Sequence, residues 1–154
     1  MLLEMNGVRI LIDPGVYSGG QNDERDIDMV LITHEHSDHY HIESLKKVLS
    51  SNPKATVITN DAVGALLQKE SIPYTRVMDG ESTKVNATRV EGFGREHAII
   101  YGQMGACENT GFLVGEKFYY GRILFPSTSC VVMANSLFHS TLGKRGNSDL
   151  CTKK

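Results

Sequence analysis

The sequence predicts an α+β fold in which two β-sheets pack face to face with helices outside, and of which this chain supplies a little more than half. Three observations carry that expectation. Apolar strand-like runs alternate with amphipathic helical stretches as far as about residue 67, which argues for parallel pairing. From Ser82 onward the helical spacing gives way to short strands and tight turns, a meander. No internal repeat or linker interrupts the order, so one domain is expected.

Taken in order, Leu2 to Met5 and Val8 to Ile12 are strands joined at Asn6-Gly7, a strong hairpin signal. The stretch from Gly15 to Asp28 is glycine-rich and acidic, hence a loop and a flap over any site beside it. Met29 to Thr33 is a continuous apolar run of the kind found in a strand buried on both faces. His41 to Ser51 places Ile42, Leu45, Val48 and Leu49 on one helical face, and Asn52-Pro53 stops it. Ala55 to Thr59 is the next strand, and Asn60 caps a helix through Ala62, Val63, Leu66 and Leu67. Residues alternate in character from Val85 to Gly92; strands follow at Ala98 to Tyr101, Gly111 to Val114 and Lys117 to Tyr120, with a hairpin turn at Gly115-Glu116.

The chemistry is concentrated where the buried third strand ends. Leu31-Ile-Thr-His-Glu-His-Ser-Asp-His39 packs three histidines and an aspartate into the six positions from His34 to His39. Alternation puts His34 and His36 on one side of an extended backbone, while Asp38 and His39 lie a step further on and can turn toward a second ion. Imidazole nitrogen with carboxylate oxygen is a ligand set that suits zinc, with manganese or iron as alternatives. Asp13, before Pro14-Gly15, has two readings: support for such a site, or a local turn cap. His41 is read as a helix-start residue facing solvent.

Thr33-His-Glu-His-Ser-Asp-His39 resembles the HxHxDH signature of the metallo-beta-lactamase superfamily. The strand ending in Asp13-Pro14-Gly15 resembles the element that precedes that signature. Gly92-Phe-Gly-Arg-Glu-His97-Ala-Ile-Ile-Tyr101, Asn109-Thr-Gly-Phe-Leu113 and Lys117-Phe-Tyr-Tyr120 resemble the ascorbate-6-phosphate lactonase-like branch. The resemblance covers residues 2 to 120 and implies a metallo-beta-lactamase-like αββα sandwich, partial, with the first half and the start of the second sheet present. It implies that His34, His36 and His97 hold a first metal and Asp38 and His39 a second, with Asp38 also in a catalytic role and Asp13 supporting. One zinc is expected, the second being in doubt for lack of ligands. After Tyr120 the family places a Gly-Asp whose carboxylate bridges the metals, whereas this sequence continues Gly121-Arg122-Ile123. His139, in surroundings unlike the family's last histidine motif, is not assigned.

Composition bounds the rest. The chain has 154 residues, 40% hydrophobic and 22% charged, with a net charge of -2, so nothing argues electrostatically for a nucleic-acid partner. No run approaches membrane-spanning length and the start lacks a signal-peptide pattern, so a cytoplasmic protein acting on a small molecule is expected. Cys107, Cys130 and Cys151 are widely spaced and odd in number, the pattern of reduced thiols. Charge divides at the end of the resemblance: residues 1 to 120 hold 17 acidic and 11 basic side chains, residues 121 to 154 only 1 acidic against 5 basic. Residues 121 to 154 are therefore expected to be a tail foreign to the domain, from a shifted reading frame or a truncated end, leaving apolar sheet that favours self-association. The function expected is hydrolysis of a small ester, lactone or phosphoester by metal-activated water. The alternative is a metal-binding or partner-binding remnant with impaired catalysis.

Overall fold

The computed structural model describes residues 1–95 and 107–121. The first sheet contains β1 (Leu2–Met5), β2 (Val8–Ile12), β3 (Met29–Ile32), β4 (Thr56–Thr59) and β5 (Thr75–Arg76), side by side in that order. β1 and β2 form the expected antiparallel hairpin, in which Met5 faces Val8. The turn between them places Asn6 and Gly7 in the left-handed region, at φ 53° and 74°, as a two-residue hairpin turn requires. The pairs from β2 to β5 are parallel. Helices α1 (Ile42–Ser51) and α2 (Asp61–Lys69) form the crossovers on one face.

β3 is buried along its whole length, as its continuous apolar sequence anticipated. Its residues divide between two cores. Met29 and Leu31 face the second sheet with Val8, Ile10, Ile12, Ile58, Val90, Phe112 and Val114. Val30 and Ile32 face the helices with Leu11, Val57, Leu45, Val48, Val63 and Leu67. Each such side chain, fully buried, contributes roughly 1.5–3 kcal/mol. Both faces of the strand are thereby anchored, and the residues that follow it leave from a fixed point.

The second sheet is the expected meander: β6 (Ser82–Val85), β7 (Thr88–Phe93), β8 (Gly111–Val114) and β9 (Phe118–Tyr120), all antiparallel. The alternation read from Val85 to Gly92 is not continuous. Asn86 has φ 53° and turns the chain so that Val85 pairs with Thr88, leaving Thr88, Val90 and Gly92 facing inward. Two small elements were not anticipated. β5 is only two residues long and carries no periodicity to read, and a 3-10 turn, Gly20–Asp23, lies inside the long acidic loop. The strand expected at Ala98 to Tyr101, most of the tail, and Cys130 and Cys151 lie outside the described residues. Among the described residues, no helix is long and apolar enough to cross a membrane.

Candidate metal centre

Parallel pairing of β2 with β3 brings their carboxyl ends to one edge of the sheet, the place where open α/β sheets hold their ligands. Asp13 closes that edge, its amide donating to Leu31 O at 2.9 Å. Beyond Thr33 the chain folds into a tight turn in which the amides of His39 and Tyr40 donate to His36 O at 2.9 and 2.7 Å. The turn reverses the chain, so that Asp38 and His39 come back over His34. The ligand atoms of His34, Asp38 and His39 all lie within 4.8 Å of one another.

Gly15 makes this approach feasible. A Cβ at that position would stand 1.8 Å from the Asp38 carbonyl oxygen, far inside van der Waals contact. The next amide, of Val16, donates to Ser37 O at 2.8 Å. The Asp13-Pro14-Gly15 segment thus lies directly against the backbone of the ligand turn. Gln21, in the 3-10 turn, holds the segment from behind, its Nε2 donating to Gly15 O at 2.9 Å.

The Asp13 side chain reaches across to Thr33 and His39. At φ 50° its side chain points into the fold rather than capping its own turn. Oδ1 accepts from the Thr33 amide at 2.9 Å, and Oδ2 faces both Thr33 Oγ1 at 3.0 Å and His39 Nδ1 at 2.6 Å. Thr33 Oγ1 also lies 2.9 Å from His34 Nδ1. These contacts assign the tautomers. A carboxylate only accepts, so the single Thr33 hydroxyl proton goes to Asp13 and Oγ1 must accept the Nδ1 proton of His34. His39 likewise donates its Nδ1 proton to Asp13. When neutral, both rings carry their lone pairs on Nε2, the form in which histidine binds a metal, and a ligating histidine ordinarily donates its other ring N–H to such an acceptor.

The donor set fits a cation. His39 Nε2 and Asp38 Oδ2, both lone-pair bearers in this state, face each other at 3.2 Å. Two ligands at the usual 2.0–2.2 Å from a tetrahedral ion stand about 3.4 Å apart. The two rings contact His34 closely, the centroids of His36 and His39 lying 4.7 and 4.1 Å from that of His34. His34 is almost wholly buried, at 3% exposure, whereas His36 and Asp38 are exposed. The site is therefore a mouth with one deep ligand. His36 flanks the group of three instead of joining it, and His97 and Arg122 lie outside the described residues.

Four residues were not singled out for the site from the sequence: Thr33, Asn60, Glu108 and Tyr120. Thr33 has every polar group engaged, its carbonyl accepting from Asn60 Nδ2 at 2.9 Å and from the Thr110 amide at 3.0 Å. Asn60, expected only as a helix cap, does cap α2 through the Val63 amide and also ties that cap to the metal strand. Glu108 accepts from the Ala62 amide at 2.8 Å, joining the start of β8 to the same helix end. The last is Tyr120, which packs on the core between the two sheets. Burial first, and then the negative charge of Asp13, push this phenol well above its ordinary range, so it stays protonated as a donor. His41, expected to face solvent, is half-buried at the start of α1, with Nδ1 2.9 Å from Ser44 Oγ.

A parallel sheet backed by two helices, packed on an antiparallel meander, with a His and Asp cluster at the strand ends, defines a metal-binding sandwich of the metallo-beta-lactamase type. Residues 1–125 match the family described as "Beta-lactamase superfamily domain", and the chain belongs to that family. It is 30% identical over 132 residues to Protein Rv0786c of Mycobacterium tuberculosis (strain ATCC 25618 / H37Rv), which covers 86% of this chain and 61% of that protein. The chain thus spans about three-fifths of that relative's length. Among solved structures, CmlA, a diiron beta-hydroxylase from Streptomyces venezuelae, superposes with a TM-score of 0.60 at 23% identity, covering 78% of this chain and 27% of that one. Igni18, a metallo hydrolase from Ignicoccus hospitalis KIN4/I, superposes with a TM-score of 0.58 at 20% identity, covering 78% and 55%. At these identities the likeness is one of fold.

Proposed function

We propose that this chain is the metal-binding part of a hydrolase acting on a small ester, lactone or phosphoester. The observation that carries the reading is the convergence of His34, Asp38 and His39 within 4.8 Å, with both imidazoles held in the ligating tautomer. The sequence resemblance implies a wider arrangement around that cluster, in which His36 and His97 join His34 at the tight ion and Asp38 and His39 also face a second, weakly held one, with Asp38 beside the reacting water. A bound ion of this kind supplies hydroxide near neutral pH by lowering the pKa of its water to about 7. The chain's own residues do the rest: Asp13 and Thr33 fix the ring orientations, and Asp38 offers an exposed carboxylate at the mouth that can take a proton from an incoming water. Zinc is the metal we favour, with iron or manganese as alternatives, iron being the metal named for CmlA.

The finer reading follows the sequence resemblance to the ascorbate-6-phosphate lactonase-like branch, with a cytoplasmic location and a small-molecule substrate rather than nucleic acid or membrane. We also propose that residues 1–120 are the domain proper and residues 121–154 a separate tail, and that the chain associates with a second copy of itself. One sequence feature favours a second reading, a metal-binding or partner-binding remnant with weak catalysis. Arg122 stands where the family's bridging aspartate would be, and a guanidinium repels a dication. The test is to load purified protein with zinc, manganese or iron and assay a lactone, an aryl ester and an aryl phosphoester before and after a chelator. Chelator-sensitive hydrolysis supports the enzyme; metal uptake without hydrolysis of any of the three supports the remnant.

A further inference from the structure

We propose that Asn60 is a positioning residue for the metal centre: from the end of β4 its side-chain amide fixes the Thr33 carbonyl, and with it the peptide from which His34 reaches the site. The proposal rests on the reading of His34, Asp38 and His39 as metal ligands.

β2, β3 and β4 lie side by side, and Asp13, Thr33 and Asn60 are the first residues beyond their respective ends. Each outer strand sends one side chain to the threonine between them. Asp13 accepts from the amide and the hydroxyl of Thr33, and Asn60 takes the remaining polar group, its Nδ2 donating to Thr33 O at 2.9 Å. The Asn60 amide is not free to flip. Its Oδ1 accepts from the Val63 amide at 3.1 Å in the first turn of α2, so Nδ2, the donor end of the side chain, must face Thr33. The Thr110 amide, at the entry to β8, donates to the same carbonyl at 3.0 Å. A carbonyl oxygen has two lone pairs, and these two donors occupy both. Thr33, Asn60 and Thr110 are all buried, so water does not readily replace a lost donor. The peptide between Thr33 and His34 is thereby held in one orientation, and the His34 ring, with Nδ1 2.9 Å from Thr33 Oγ1, is carried by it. Without Nδ2 the Thr110 amide holds the carbonyl alone, and the peptide can turn and move the deep ligand relative to Asp38 and His39.

The experiment compares the full chain with Asn60→Ser, which keeps a side-chain oxygen to cap α2 but is too short to keep the bond to Thr33. The control is Asn52→Ser. Asn52 is likewise buried and likewise joins a helix end to the main chain, its Oδ1 accepting from the Ile27 amide and its Nδ2 donating to Val48 O, but it does so at the opposite end of β3. Two readouts are taken: zinc affinity by chelator competition, and the imidazole 15N chemical shifts of His34 in metal-free protein, with His41 as the internal reference. We expect Asn60→Ser to weaken zinc binding about tenfold, the lower end of the usual cost of removing an outer partner, and to shift the His34 ring nitrogens but not those of His41. Asn52→Ser should lose stability in urea unfolding yet match the parent in both readouts. Either readout unchanged in Asn60→Ser would overturn the proposal, and so would an equal effect of Asn52→Ser, since the loss would then follow stability in general. Should Asn60→Ser not unfold cooperatively, Asn60→Asp, which keeps the size and the acceptor for Val63 but turns an oxygen toward the Thr33 carbonyl, is judged by the same two readouts. A parent chain that takes up no zinc defeats the ligand reading instead, and the His34 shifts then judge Asn60.

Discussion

His39 Nε2 and Asp38 Oδ2 face each other at 3.2 Å, close to the separation of two ligands on one tetrahedral ion. Asp38→Asn keeps the shape of the side chain and removes its charge, so zinc affinity should fall at least tenfold while the unfolding midpoint of metal-free protein stays within about 0.5 kcal/mol of the parent, as for an exposed substitution. Calorimetric titration measures the first and denaturant unfolding the second; an unaltered affinity would remove Asp38 from the ligand set.

Asp13→Ala should destabilise the metal-free fold. The Thr33 amide and hydroxyl would lose their acceptor in a buried place, and an orphaned buried donor costs about 1–3 kcal/mol. Asp13→Asn restores an acceptor oxygen without the charge and should recover part of the stability, but little of the zinc affinity, because an amide cannot accept from all of the same donors. Urea unfolding of the two variants checks the order.

Gly15→Ala tests the contact between the Asp13-Pro14-Gly15 segment and the ligand turn. Its Cβ would lie 1.8 Å from a backbone oxygen, so one of the two segments must move, at a cost of about 1–3 kcal/mol or more. Zinc affinity should fall with stability, since the displaced atoms are those of Asp38 itself. A variant as stable as the parent would show that the close approach is not maintained in solution.

Much of this was legible in the sequence. The apolar run Met29–Ile32 gave a doubly buried strand because no residue in it can face water, and Asn6-Gly7 gave a hairpin because few other pairs enter the left-handed region cheaply. The ligand turn was legible for a related reason: three histidines and an aspartate in six positions have little structural use other than metal binding. What stayed hidden were contacts made across sheets. Thr33, Asn60, Glu108 and Tyr120 are ordinary residues for their elements, and their convergence on the site depends on register, which sequence periodicity does not carry. The division of ligands between two ions was read from family order alone, and the described geometry groups His34 with Asp38 and His39.

Acid should weaken metal binding reversibly. Zinc requires the unprotonated imidazole and its uptake releases protons, so affinity falls as pH is lowered through the range where imidazole ionises. Chelator competition at several pH values should show a slope of at least one proton per zinc. A pH-independent affinity over that range would exclude histidine from the ligand set.

The central claim is that His34, Asp38 and His39 form one tight site. It is tested most directly by titrating zinc at neutral pH into the parent chain and into a variant with all three changed to alanine, circular dichroism having shown the same fold in both. The account predicts one tight zinc per parent chain and none in the variant. Equal uptake by the two proteins, or two tight sites in the parent, would contradict it.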